Sequence, residues 1–180
     1  MRIEIRQTPW DDAAGARLRA DQERETLERY GADLEAGAKP SSDSVALFLT
    51  AHHADTGEAI GCGALRRIDD TAFEIKRMYV VPQWRGRRIG GLLLHALEEA
   101  GRERGATVVR LETGPLQPEA IRLYERCGYR EIPQFGPYVG APASVCFERR
   151  LTAPAGTAPQ GDTPVGSARA DTAPAGSAPA

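Results

Sequence analysis

Residues 83–91, "QWRGRRIGG", place Arg85, Arg87 and Arg88 beside Gly86, Gly90 and Gly91, and the chain then turns apolar in "LLLHALEEA". Arginine offers forked donors matched to phosphate oxygens, and glycine lets a bulky anion approach the backbone without meeting a Cβ. Pro82 ends an apolar run and Ile89 begins a period-3.6 stripe, so the basic stretch is a strand-to-helix turn. The first turn of a helix has unpaired N–H groups and the positive end of the macrodipole. Together these point to a cradle for a phosphate-bearing ligand; the competing reading is a solvated basic turn. Other phosphate motifs fail. Gly86 to Gly91 is followed by leucines rather than Lys-Ser/Thr, and "GCGALR" at 61 lies inside a strand and lacks the third glycine of a dinucleotide fingerprint.

The elements that must hold this turn follow from patterning. "RIEIRQ" (2–7) alternates as a strand, and 11–30 is a charged helix ending at Gly31. Three strands, 44–53, 59–68 and 72–81, are joined by the short turns "DTG" and "DDT", which predicts an antiparallel meander. Ile89, Leu92, Leu93, Ala96, Leu97 and Ala100 form the stripe of the next helix. "TVVRLET" (107–113) is a strand, and 118–129 is a helix with Pro118 at its first position and Gly128 past its end. "YREI" and "SVCFERRL" close the domain as strands. The predicted order is β-α-β-β-β-α-β-α-β-β, a mixed α/β (α+β) domain over 1–151. Beyond it, 152–180 is a Pro/Ala/Gly-rich run with no aromatic residue, expected to be a disordered tail.

The totals restrict the partners. In 180 residues there is room for one ordinary domain. The formal charge of −2 gives no global attraction for nucleic acid or an anionic membrane. No apolar run spans a bilayer and the amino terminus lacks a signal's apolar middle, so a cytoplasmic protein is expected. Cys62, Cys127 and Cys146 form no C-x-x-C pair, and His52 and His53 are adjacent, so no metal site is expected.

With the loop and its flanks in view, the chain resembles the GNAT superfamily of N-acetyltransferases. Its acetyl-coenzyme A loop, R/Q-x-x-G-x-G/A, is matched by Arg85-Gly86-Arg87-Arg88-Ile89-Gly90, with Arg88 where glycine is usual. "EIKRMYVVP" resembles the strand that carries the pantetheine arm. "QPEAIRLYERCGYRE" resembles N-x-x-A-x-x-L-Y-x-x-x-G-F, with Gln117 for Asn and Tyr129 for Phe. The match covers about 44 to 150, and 8–43 match weakly. The resemblance implies a mostly antiparallel splayed sheet flanked by helices, with coenzyme A where strands 72–81 and 107–113 diverge. It also implies acetyl-coenzyme A as co-substrate and direct transfer to a primary amine of a small molecule or peptide.

A primary amine of pKa near ~10 is about one part in a thousand neutral at pH 7, so a base must act. Glu74 matches a position that carries a base in some relatives; the alternatives are a carboxylate paired with Lys76 or Arg77, or a water relay. Backbone N–H groups of Met78, Tyr79 and Val80 are expected to stabilise charge on the thioester oxygen and to pair with the pantetheine amides. Tyr124 matches the family tyrosine beside the sulfur, although a tyrosine in an apolar stripe is by itself a core residue. Cofactor contacts are expected from Met78, Tyr79, Val80, Arg85, Gly86, Arg87, Arg88, Ile89, Gly90, Gly91 and Gln117, and acceptor contacts from Arg24, Tyr30, Tyr138 and Ser144. Two other classes stand beside this one. They are a non-catalytic acyl-coenzyme A sensor and a nucleic-acid module using Arg66, Arg67, Arg85, Arg87 and Arg88, which lacks interleaved aromatic platforms.

Overall fold

A computed structural model describes residues 1–151; the tail expected over 152–180 lies outside the described residues. Ten strands and α-helices follow in the predicted order: β1 (Ile3–Gln7), α1 (Ala13–Tyr30), β2 (Leu47–His53), β3 (Ala59–Arg67), β4 (Ala72–Val80), α2 (Ile89–Arg102), β5 (Val108–Thr113), α3 (Pro118–Arg126), β6 (Arg130–Ile132) and β7 (Val145–Arg150).

Local chemistry sets the helix limits. Asp12 accepts a hydrogen bond from the Gly15 N–H at 2.9 Å and so caps α1, which Gly31 ends at φ 72°. The strands form one sheet in the order β1-β2-β3-β4-β5-β7-β6. The β2-β3-β4 meander is antiparallel, as the short turns require. Only β4 and β5 run parallel, and their pairing stops at Ile75–Leu111. Beyond that pair β4 continues to Val80 and β5 to Thr113, and the strands part. This fork is the expected splay.

Both sheet faces are covered. Leu47, Leu49, Phe73, Ile75, Val109, Leu111 and Phe147 pack under α2 and α3, while Phe48, Cys62 and Ala64 pack with Leu18 of α1 on the other face. Helix α1 sits close to the sheet because residue 15 is glycine: a Cβ there would lie 2.4 Å from the Phe48 ring. The buried α2 face is shifted from the expected stripe, with Leu92 leaving it and Leu94, Glu98 and Gly101 joining it. Leu94 is buried and Leu92 is 47 % exposed, because the helix presents the 89, 93, 94, 97, 98, 101 face to the sheet. Glu98 lies on that face. It is buried because Arg149 of β7 donates to both its oxygens, at 2.9 and 2.8 Å, and the Tyr129 hydroxyl donates at 3.0 Å. An acidic residue in "EEA" gives no sequence signal for this, since its partners lie on other elements.

Candidate active site

The site begins with a defect in β4. Cys62 pairs with Tyr79 but Ala64 pairs with Lys76, so Gly63 alone faces both Arg77 and Met78, and Arg77 takes φ 56°. This bulge shifts the side-chain alternation by one residue. Before it, Phe73 and Ile75 point to α2; after it, Met78 and Val80 do, and Tyr79 joins the α1 side. Gly63 leaves room for the side chains beneath it, since a Cβ would lie 2.8 Å from both Met78 Sδ and Leu97 Cδ1, and those ends would have to shift.

Beyond the bulge, Arg85 fastens the turn. Its Nε donates to the Val80 carbonyl at 2.8 Å, and its fork donates to both oxygens of Glu25 on α1 at 3.0 and 2.6 Å. The fork expected to meet phosphate is therefore engaged by a carboxylate, which also raises the guanidinium pKa. Arg88 is the residue preceding α2 and sits at φ 65°, ψ 8°, the left-handed conformation that glycine adopts without cost. No side chain caps the first turn of α2. A Cβ on Gly86 or Gly91 would meet no atom within 4 Å. Open space at unclaimed helix N–H groups fits a phosphate-bearing ligand. Gly90 has a different job: a Cβ there would lie 3.0 Å from Leu123, so its absence lets α3 approach α2.

A cleft of about 340 Å³ runs along this surface. It is lined by Met78, Tyr79, Val80, Arg85, Gly86, Arg88, Ile89, Gly90, Gly91 and Gln117. Arg87 is not among the lining residues; its guanidinium lies 5.0 Å from the Trp84 ring centroid. A second cavity, about 430 Å³, opens over the fork between β4, β5 and α1. Gln22, Thr26, Met78, Gln117 and Tyr124 line both spaces, so they meet there. Tyr124 is buried against Tyr129 and Phe147, and its hydroxyl has no hydrogen-bond partner among the described residues. Burial drives its pKa above the ordinary tyrosine range, with the charge of Glu112 adding to the rise.

The expected acceptor residues divide. Arg24 and Tyr30 line the second cavity. Tyr30 reaches it because residue 114 is glycine, where a Cβ would lie 1.9 Å from the Tyr30 hydroxyl. Tyr138 and Ser144 lie behind the wall and act on residues nearer the cavity. The Tyr138 hydroxyl donates to Glu74 Oε1 at 2.5 Å and accepts from Lys76 Nζ at 2.8 Å. Ser144 donates to Glu112 Oε1 at 2.8 Å.

Glu74 is 1 % exposed and lines neither space. Its Oε2 accepts from Arg66 at 3.1 and 2.5 Å, and Lys76 Nζ stands 3.8 Å from Oε1. The carboxylate at the fork is Glu112, the first β5 residue past the last β4–β5 pair, with Lys76 the first past it on β4. Burial raises the Glu112 pKa, and the Ser144 hydrogen bond and the Lys76 charge oppose the rise. Sequence reasoning missed Glu112. The only available signal was its place, in "RLETG", on the strand expected to bound the cleft.

Among the described residues no helix is long and apolar enough to cross a membrane, and no group of three or more His, Cys, Asp or Glu could hold a metal. Cys62 is an inert thiol, its pKa pushed up to about 12 by burial.

Comparison with known proteins identifies the family and the fold. The sequence profile of the acetyltransferase (GNAT) family matches residues 4–129. The chain is 38 % identical over 120 residues to an Azospirillum brasilense protein named IAA acetyltransferase, covering 66 % of this chain and 74 % of that one. A Klebsiella pneumoniae structure described as an acyl-CoA N-acyltransferase is 38 % identical, with a TM-score of 0.70 over 83 % of this chain and 98 % of that one. A GNAT family acetyltransferase from Elizabethkingia anophelis, solved with acetyl-CoA bound, shares the fold at 19 % identity, TM-score 0.61, over 83 % and 98 % of the two chains. The chain belongs to the GNAT family of acetyltransferases.

Proposed function

We propose that this acetyltransferase moves the acetyl group of acetyl-coenzyme A directly to a primary amine, with the cofactor in the 340 Å³ cleft and the amine in the 430 Å³ cavity. The observation that carries this reading is the junction: Tyr124 and Met78 line both spaces, so one reacting atom from each side can meet there.

The residues then take distinct roles. The N–H groups of Ile89, Gly90 and Gly91 receive the pyrophosphate at the start of α2. Glu112 takes a proton from the acceptor ammonium and leaves a neutral nitrogen, which forms the new C–N bond. Backbone N–H groups of Met78 to Val80 stabilise the charge that gathers on the thioester oxygen. As the C–S bond breaks, Tyr124 gives its proton to the departing sulfur and is reloaded by the second proton leaving the nitrogen. The proton on Glu112 returns to solvent through the open cavity, so the balance is one amide, one thiol and one released proton. Glu74 serves as a positioning group: held by Arg66, it fixes Tyr138 and through it Lys76 beside the fork.

The test measures free thiol released from acetyl-coenzyme A across a panel of primary amines, with thermal stability followed in parallel. Cofactor at 100 times its Kd should stabilise the fold by ~2.7 kcal/mol. Stabilisation together with amine-dependent thiol release is expected. Stabilisation with no release from any amine would identify a binding module, and no stabilisation would remove the cleft from the reading.

A further inference from the structure

The cavity beside the fork has a charge balance that bears on what it accepts. The cations on its wall are Arg24, Lys39, Lys76 and Arg77. Arg77 is paired with Glu35 at 2.8 Å and Glu23 at 3.2 Å. Lys76 faces Glu35 at 3.6 Å and Glu74 at 3.8 Å. Arg24 pairs with Asp21 at 2.7 Å and Lys39 with Asp33 at 2.8 Å. These last two are rim groups more than half exposed, where water screens any attraction for an anion.

The carboxylates balance differently. Glu23, Asp33 and Glu35 answer the wall cations, but Glu112 accepts only from the neutral Ser144 hydroxyl and has no cation within ion-pair distance among the described residues. Glu112 is therefore the one carboxylate on the cavity wall without an ion-pair partner among the described residues. The cavity also exposes apolar surface. Leu27 and Leu34 line it while 50 % and 46 % exposed. Leu116, 54 % exposed, does not line the cavity but its N–H donates to the Tyr30 hydroxyl, which does, at 3.0 Å. Most large side chains of this type are covered elsewhere on the sheet. Two exposed leucines on one cavity wall would be shielded by an apolar ligand.

We infer that the acceptor is a singly charged amine with an apolar body and no acidic group, its ammonium at Glu112 and its body against Leu27 and Leu34. This rests on the reading of that cavity as the acceptor site. The chemistry excludes zwitterions by cost. An acceptor carboxylate would lose its water against walls whose inner cations are already engaged by Glu23, Glu35 and Glu74, and it would sit near the Glu112 charge. Glu35 is the residue that enforces this, because it quenches both Lys76 and Arg77.

Three amines test the inference with the full chain and acetyl-coenzyme A: 2-phenylethylamine, phenylalanine, which adds only a carboxylate, and ethanolamine, which lacks the apolar body. The kcat/KM for 2-phenylethylamine should exceed that for phenylalanine by at least ~100-fold and that for ethanolamine by at least ~10-fold. Glu35→Gln, which takes one carboxylate from Lys76 and Arg77 and leaves them Glu74 and Glu23, should narrow the first gap by roughly tenfold. Phenylalanine used as well as 2-phenylethylamine would overturn the inference, and so would a Glu35→Gln enzyme with an unchanged ratio. Thiol release from none of the three would overturn the acceptor reading of the cavity itself, a result distinct from acetylation without selectivity.

Discussion

The two spaces that meet at Tyr124 are built from different materials. The proposed cofactor cleft takes its anion-binding groups from backbone: the first turn of α2, the glycines at 86 and 91, and the bulged end of β4. Its arginine fork is engaged by Glu25. The acceptor cavity is made of side chains from α1, β4, β5 and the loop before β7, converging on one carboxylate. A backbone site tolerates side-chain change and serves one ligand across a family. A side-chain site is retuned by single substitutions. The cleft should therefore respond weakly to mutation and the cavity strongly.

The largest effect is expected at Glu112. Glu112→Gln keeps the shape and the Ser144 contact but removes the base, and kcat should fall by ~100-fold or more. The pH profile separates this from a structural role. In the parent enzyme activity should be lost as pH falls through the raised Glu112 pKa, at a pH above the ordinary carboxylate value, since only the ionised form accepts a proton. The groups that face or act on Glu112 are Lys76 and Glu74 on β4, Glu35 after α1, Ser144 before β7, Cys146 on β7, Tyr30 on α1, Tyr124 on α3, and Tyr138. In the variant that acidic limb should vanish, and the rate should climb with the neutral fraction of the amine. An unchanged limb would return the proton transfer to a water relay.

A smaller loss is expected at Tyr124, where the two spaces join. Tyr124→Phe removes a hydroxyl that has no hydrogen-bond partner among the described residues, so folding should be unaffected. Turnover should fall by roughly 10- to 100-fold while coenzyme A affinity changes little, because the hydroxyl acts on the sulfur as it leaves. Equal losses in affinity and turnover would make Tyr124 part of the cleft wall only.

The same difference in materials explains what could be read in advance. The cleft was legible because its parts are neighbours in sequence: Arg85 to Gly91 sit on one turn, and the turn lies between a strand and a helix that patterning identifies. The meander and the helices were legible for the same reason. Of the proposed acceptor cavity only Arg24 and Tyr30 were legible as acceptor-lining residues and Ser144 as a neighbour; its carboxylate was not. Glu35, Lys76, Glu112 and Ser144 come together only after the sheet has formed and forked, and none carries a local pattern. Glu74 shows the limit most clearly. Its place on β4 was readable, but its carboxylate turns to Arg66 and Tyr138, partners 8 and 64 residues away. The bulge at Arg77 was equally invisible, since "KRM" has none of the glycine that often marks one.

The smallest expected effect isolates backbone from side chain within the cleft, at Arg88. Its φ of 65° costs an L-residue about 1 kcal/mol that glycine does not incur. Arg88→Ala and Arg88→Gly remove the same guanidinium, so their difference reports the conformation alone. Glycine gains from relief of the left-handed φ and loses part of that gain to its greater freedom in the unfolded chain. The glycine variant should remain the more stable of the two by roughly 0.5–1 kcal/mol, read as a shift in denaturation midpoint at constant m-value. If the N–H groups of α2 make the cradle, both variants should bind coenzyme A within about threefold of one another. A glycine variant no more stable than the alanine one would mean the loop relaxes in solution. A large difference in affinity between them would show that the backbone at 88 helps set the cradle itself.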